Sequence, residues 1–249
     1  MPPTARILIY SATRGYRHDS IPMSIEILNV KGPSINVQFD ATEDETWFTD
    51  DRLKEYDALL FLNNSGEVLD EAGKAAFQNY LNLGGNFIGI HCASACLYEC
   101  EFYRKEIGAL FDYHPEISTG VIEVLDQNHP TTKMLPPKWE VFDEMYNFRS
   151  DPRSVGAKVI LIADETSYKD DGERKYDHGT PHPMAWYQER GAGVESTGTA
   201  GRSWYTALGH GEETWRDDLF IAHVLAGIQW ALGSNTTKAF NPNVQVGNA

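Results

Sequence analysis

His91 closes a buried apolar run, Asn86-Phe87-Ile88-Gly89-Ile90, and is followed by the small residues Cys92-Ala93-Ser94. A strand that turns sharply into a helix needs small neighbours, so that one side chain projects over the sheet edge. His91 is the residue so projected, placed to act as a general acid or base or as a metal ligand through one ring nitrogen. Cys92 as a nucleophile requires a shift of one residue and is the weaker reading. Three more histidines share the setting of a strand–loop junction. His18 lies in the loop Ser11–Ser20, beside Arg14 and Arg17. His182 is pinned between Pro181 and Pro183, whose rings restrict the backbone. His210 stands between Gly209 and Gly211, which permit a tight turn and close ligand approach. Glu144 follows a strand and adjoins Tyr146 and Asn147.

Imidazoles converging on a carboxylate can transfer protons or bind a divalent ion. The expected catalytic set is His91, Glu144, His182 and His210, with His91, His182 and His210 as metal candidates. No compact ligand spacing such as His-Glu-x-x-His is present. Arg14, Arg17, His18, Tyr146 and Asn147 are expected substrate contacts, Tyr146 by stacking on a sugar ring. The competing readings are ordinary ones: Arg14 and Arg17 pairing with nearby acids, and Glu144 as a solvated surface acid. His114 and His129 precede prolines in loops and His223 lies in mid-helix, so these three read as structural. His178, in a loop rich in charge and glycine, reads as exposed. The glycine pattern of a nucleotide-binding loop is missing after the first strand, so no nucleotide cofactor is expected.

These residues need a scaffold of alternating strands and helices. Arg6–Tyr10, Asn36–Phe39, Ala58–Leu62 and Asn86–Ile90 read as strands, and Ala-Leu-Leu-Phe-Leu is the pattern of one buried on both sides. Helices are predicted from Ser20, over Thr49–Glu55, from Asp70 to Gly84-Gly85, from Ser94 to about Ile107, and over Asp217–Leu232. The second half is richer in strands: Gly120–Leu125, Trp139–Phe142, Val159–Asp164, Met184–Tyr187 and Ser203–Leu208. The pattern predicts one α/β domain over residues 1–233 with a mostly parallel central sheet, extended by the second half. In such sheets ligands sit beyond the carboxyl ends of the strands. The tail Ser234–Ala249, rich in Asn, Thr and Gly, is expected to lie outside the fold.

The 249 residues carry 21 basic and 36 acidic side chains, a net charge of −15, which disfavours nucleic acid and anionic membrane surfaces as partners. No apolar run is long enough for a transmembrane helix, and no secretory signal pattern is seen. Cys92, Cys96 and Cys100 are odd in number, which fits a reducing cytoplasm better than a disulfide framework. Their spacing of four would place them on one helix face, as a metal stripe or, more simply, as small apolar packing.

Taken in order, Ala12–Ser20, Asp40–Asp44, Gly89–Ala93, Asp143–Phe148, His182–Trp186 and Tyr205–His210 resemble the ThuA-like (trehalose utilisation) family across roughly residues 5–233. The stretch Gly191–Gly201 is longer than the turn expected there and reads as a loop insertion. The resemblance implies a flavodoxin-like three-layer sandwich related to class I glutamine amidotransferases, in which the elbow residue is a catalytic Cys. His91 holds that place here, so glutaminase activity is not expected, because an imidazole does not substitute for thioester formation. The resemblance also implies a carbohydrate ligand, a disaccharide or keto-sugar, and such folds are often homo-oligomeric. Three functions follow as expectations: a sugar-processing enzyme using His/Glu acid–base chemistry, a non-catalytic sugar-binding or regulatory protein, and a metal-dependent hydrolase.

Overall fold

Short apolar runs punctuated by capped helices give the chain its alternation, seen here in a computed structural model that describes residues 4–243. In chain order the elements are β1 (Ala5–Tyr10), α1 (Ile21–Lys31), β2 (Val37–Thr42), α2 (Asp50–Leu53), β3 (Ala58–Leu62), β4 (Ser65–Gly66), α3 (Glu71–Asn82), β5 (Asn86–Ile90) and β6 (Ala95–Cys96). There follow α4 (Glu101–Ile107), β7 (Phe111–Tyr113), β8 (Ser118–Val124), β9 (Lys138–Asp143), β10 (Asn147–Phe148), β11 (Lys158–Ala163), β12 (Pro183–Gln188), β13 (Ser203–Thr206) and α5 (Asp218–Leu232). Asp70 caps α3 by accepting the Gly73 amide at 2.7 Å, and Asp217 caps α5 by accepting that of Leu219 at 2.8 Å. Ser20 precedes α1 without capping it; its hydroxyl donates to the His210 carbonyl instead.

The fold is α/β, built on a mixed nine-stranded sheet of order β2-β1-β3-β5-β13-β12-β11-β8-β9. Pairing is parallel from β2 to β13 and antiparallel from β13 to β9. The parallel character is thus confined to the first five strands, where the sequence pattern had suggested a mostly parallel sheet. Strands β3 and β5 are buried along their whole length. Phe77 of α3 stacks on Phe61 of β3 with centroids 5.2 Å apart. On α5, Gly227 lets Trp204 of β13 approach so closely that a Cβ would sit 2.6 Å from the indole.

The pairing registers decide which loops meet. Thr206 at the end of β13 faces Ala185 near the start of β12, Ile162 near the end of β11 faces Pro183, and Asp143 at the end of β9 faces Ser118 at the start of β8. One edge of the sheet therefore gathers the loops after β1, β3, β5, β13, β11 and β9 together with the one before β12. Strand β1 lies between β2 and β3, so the chain leaves it in both directions along that edge, the kind of place where α/β sheets open a crevice. The 191–201 loop joins β12 to β13 at the opposite edge, held by Asn82 and by Glu106 through the Gly193 amide.

Two expectations change. The helix predicted from Ser94 begins only at Glu101. The intervening Ala95–Cys96 pairs with Ser65–Gly66 and Leu97 takes a φ of 50°, so a distant strand, which local spacing cannot reveal, claims the segment. The three cysteines consequently do not form a helical stripe; all are buried and free. The tail up to residue 243 packs against the fold: Thr237 is buried and accepts from Asn86 Nδ2 at 2.8 Å, and Phe240 stacks on Tyr80. Residues 244–249 lie outside the described ones.

Candidate active site

His91 sits where the sequence places it, directly after β5, with a φ of 51°. That left-handed backbone costs an L-residue about 1–2 kcal/mol, and the packing around it supplies the constraint. Gly89 passes so close to α4 that a Cβ would meet Ile107 Cδ1 at 2.5 Å, and a Cβ on Gly209 would meet Ile90 at 3.1 Å. The ring is fully buried. Its Nδ1 lies 2.6 Å from the Ala207 carbonyl oxygen, which can only accept, so Nδ1 carries a proton and Nε2 is turned toward the neighbouring loops.

Two other loops deliver groups to that nitrogen, and a third joins through Glu144. His18 Nε2 lies 3.2 Å away, the Tyr146 hydroxyl 2.8 Å and Glu144 Oε2 3.4 Å. His210 reaches the other Glu144 oxygen, Nδ1 to Oε1 at 3.2 Å, off the line of a hydrogen bond. His18, His91, Glu144 and His210 each offer one ligand atom, and these lie within 4.8 Å of one another. Ligands of a tetrahedral ion, each about 2.1 Å from it, stand about 3.4 Å apart. The 3.2 Å from His18 to His91 and the 3.4 Å from His91 to Glu144 Oε2 fit that spacing, His210 meets the other carboxylate oxygen, and the donor set of imidazole and carboxylate suits zinc, manganese or iron.

Electrostatics agree with the geometry. Burial, helped by the neighbouring imidazoles of His91 and His210, pushes the His18 pKa down to about 2, so its ring is neutral. Burial alone would raise the Glu144 pKa, yet contacts from His210 and His91 hold it well below the carboxylate range. For His210 burial pulls down, but Glu144 prevails and the pKa rises. Tyr146 is driven well above the ordinary phenol value by burial, so its hydroxyl remains a donor. Burial takes the Cys92 thiol to about 12, which leaves no thiolate to act as a nucleophile at neutral pH.

Asp143 holds the arrangement together. Its buried carboxylate accepts from the amides of Gly209 at 2.8 Å, His210 at 3.3 Å and Glu144 at 2.8 Å, and from the Thr214 hydroxyl at 2.8 Å. One side chain thereby ties the loop after β9 to the loop after β13.

The remaining expected residues divide. His182 does not join the four. Its Nε2 meets the Tyr146 carbonyl at 2.8 Å and its Nδ1 meets Glu165 at 3.0 Å, in a second group with His178. Asn147 pairs with Arg174 and Asp170, not with His91. Arg14 and Arg17 point to solvent and pair with Glu45 at 3.5 Å and Glu43 at 2.7 Å, the ordinary alternative. Two histidines read as bystanders are close by. His114 places Nε2 3.3 Å from Glu144 Oε1 while Nδ1 meets the Pro115 carbonyl, and its half-exposed ring stacks over Tyr146. His178, expected at the surface, is buried. The reading from local sequence failed for His114 because Glu144 and Tyr146 are distant in the chain, and for His178 because its loop folds back over His182 and Glu165.

Two hollows open beside the cluster and share Ile117: one of about 350 Å³ that His18 and His210 line, and one of about 550 Å³ bounded by His114, Ser118, Thr119, Ser167 and Lys169.

A family model described as ThuA, trehalose utilisation, matches residues 6–231, and the chain belongs to that family. Among solved structures it is similar to a ThuA-like protein of Bacteroides uniformis ATCC 8492, at 21% identity and a TM-score of 0.73 over 96% of both chains. It is also similar to a ThuA-like protein of Parabacteroides merdae ATCC 43184, at 18% identity and a TM-score of 0.67 over 92% of this chain and 90% of the other. A cytoplasmic protein of Salmonella typhimurium shares the fold at 11% identity, with a TM-score of 0.60 over 90% of this chain and 98% of that one. No curated protein matches. Among the described residues no helix is long and apolar enough to cross a membrane.

Proposed function

We propose that the protein is a carbohydrate-processing enzyme whose reacting centre is a divalent cation held by His18, His91, Glu144 and His210. The observation that carries the reading is the convergence of those four ligand atoms within 4.8 Å, with the His91 ring tethered at Nδ1 so that Nε2 faces the group. The scaffold reads as the flavodoxin-like sandwich of the amidotransferases, with the elbow given to a ligand instead of a nucleophile. A buried ring tethered at Nδ1 is better suited to ligation than to shuttling protons to a substrate, so His91 is assigned as ligand instead of acid or base.

A divalent ion at this place supplies Lewis acidity toward a sugar carbonyl or hydroxyl oxygen. The residues around it do the rest. The Tyr146 hydroxyl, kept protonated by burial, lies 2.8 Å from His91 Nε2, where it can turn to donate to a substrate oxygen. The half-exposed His114 faces the larger hollow and carries protons between substrate and solvent. Ser118, Thr119, Ser167 and Lys169 offer hydroxyl and ammonium groups suited to a polyol. The family's description supports a disaccharide or its oxidised, keto form as substrate. A keto group acidifies the neighbouring C–H and makes isomerisation or elimination accessible to such a site. The three free thiols support a cytoplasmic setting.

The test is turnover of a keto-disaccharide followed by NMR with the protein as purified, after chelation, and after return of zinc or manganese. Chelation should abolish turnover and the returned ion restore it, and His91→Ala should be inactive in all three states. Undiminished turnover by the chelated protein contradicts the reading. Sugar binding without turnover in any state favours a non-catalytic binder.

A further inference from the structure

Beyond the site just described, Tyr146 has a second neighbour. Its hydroxyl faces His91, and its carbonyl oxygen lies 2.8 Å from His182 Nε2. A carbonyl only accepts, so Nε2 bears the proton and Nδ1 turns a lone pair toward Glu165 Oε1, 3.0 Å away. Two electron-rich atoms at that distance repel unless a positive charge lies between or beside them, and Arg174 Nη2 stands 2.5 Å from the same Oε1. A second proton on His182 would create an imidazolium in a buried place, which desolvation opposes. The Tyr168 hydroxyl, 3.1 Å from Nδ1, can satisfy the ring, and Arg174 meets the carboxylate oxygen, so what points to a cation is the buried imidazole beside them.

His178 completes the group. It is buried, its Nδ1 has no hydrogen-bond partner among the described residues, and its Nε2 lies 3.9 Å from Glu165 Oε1, too far for a hydrogen bond. The two imidazole rings pack with centroids 4.1 Å apart. One ligand atom from each of Glu165, His178 and His182 falls within 4.8 Å of the others. Ligands about 2.1 Å from a shared ion subtend about a right angle when 3.0 Å apart, as the His182 and Glu165 atoms are. Arg174 donates to the same carboxylate through Nη2 and to Asn147 through Nε, an outer contact of the kind that orients ligating carboxylates.

We infer that Glu165, His178 and His182 form a second divalent-cation site, separated from the first by Tyr146. A residue whose hydroxyl borders one ion and whose carbonyl orients a ligand of the other couples the two, so loading the second site fixes Tyr146 beside the first. The three ligands are residues the first reading does not use, so the two sites can fail separately.

The experiment is calorimetric titration of the metal-free full-length protein with zinc, repeated with cobalt to read the visible spectrum of each site. The wild type should bind two ions per chain. His178→Gln and Glu165→Gln should each bind one, with the spectrum of the first site retained; His210→Gln should weaken the other ion. Glu165 is half-exposed, so its variant is expected to fold even if a change at buried His178 does not. A wild-type stoichiometry, whether one or two ions per chain, that Glu165→Gln and His178→Gln leave unchanged overturns the second site. Loss of one ion in those variants but none in His210→Gln overturns the first site and leaves the second standing.

Discussion

The two histidine clusters on either side of Tyr146 are assembled in different ways. His18, His91, Glu144 and His210 come from the ends of four different strands, and a carboxylate that is itself buried, Asp143, binds two of their loops together. Glu165, His178 and His182 all come from the single connection between β11 and β12, with Glu165 held by Arg174 of that same connection. The first cluster therefore exists only when the sheet is complete, and its geometry is as rigid as the core beneath it. The second depends on the conformation of one loop and reaches the first through the Tyr146 backbone. A site meant for transition-state chemistry gains from the first kind of construction, because preorganised groups need no rearrangement during reaction. A loop-borne site is better placed to be loaded or emptied.

The contrast can be broken most severely at Asp143. Asp143→Ala strands three amides and a hydroxyl in a buried place, and should lower stability by about 3–5 kcal/mol, read by urea unfolding. Its signature is a matching loss of ion affinity at the first cluster with the second unaffected. If stability falls but the first cluster binds its ion as before, Asp143 is only a structural brace.

Next in size is Glu144→Gln, which removes a ligand while keeping the shape. Ion affinity at the first cluster should fall more than about 100-fold, since even outer-shell changes cost 10–100-fold; titration calorimetry measures it. An unchanged affinity would mean that the three imidazoles alone suffice.

His223 serves as a control, a buried imidazole with no carboxylate beside it. Its Nδ1 donates to the Thr131 carbonyl at 2.7 Å and its Nε2 has no partner, and burial lowers its pKa to about 4. The unfolded chain takes up this proton near pH 6.5 and the folded one only near pH 4, so stability is full above pH 6.5 and declines as pH falls between those values. The decline from this residue amounts to at most about 3 kcal/mol, and His223→Gln should flatten the pH dependence of the melting temperature over that window. An equally steep profile in the variant would place the acid sensitivity elsewhere. The smallest effect belongs to Arg17→Ala at the exposed pair with Glu43, expected within about 1 kcal/mol of wild type and with no change in turnover; a large loss of activity would return Arg17 to the substrate-binding set.

Residues whose surroundings are local were legible from the sequence. β3 and β5 announce themselves as unbroken apolar runs, and Gly89-Ile90-His91-Cys92-Ala93 carries the elbow in its small residues, where the chain does place His91 at positive φ. His18 and His210 stand at junctions that the strand pattern marks. What the sequence hid depends on contacts made at long range or on how one loop folds back on itself. His114 counted as a loop residue before a proline, because nothing nearby shows that Glu144 lies beside it. His178 lies amid charged residues, yet the fold buries it against His182. His182 shares its junction setting with the others, but junction position does not say which of two neighbouring clusters a ring enters. The Cys92–Cys100 spacing mimicked a helix because the pairing of Ala95–Cys96 with Ser65–Gly66 spans a distance that periodicity does not sense.

Anomalous X-ray scattering from crystals grown with zinc or manganese tests the central claim most directly. A peak about 2.1 Å from one nitrogen each of His18, His91 and His210 and from a Glu144 oxygen is the result expected. A map with no peak among these four side chains at saturating ion would contradict it.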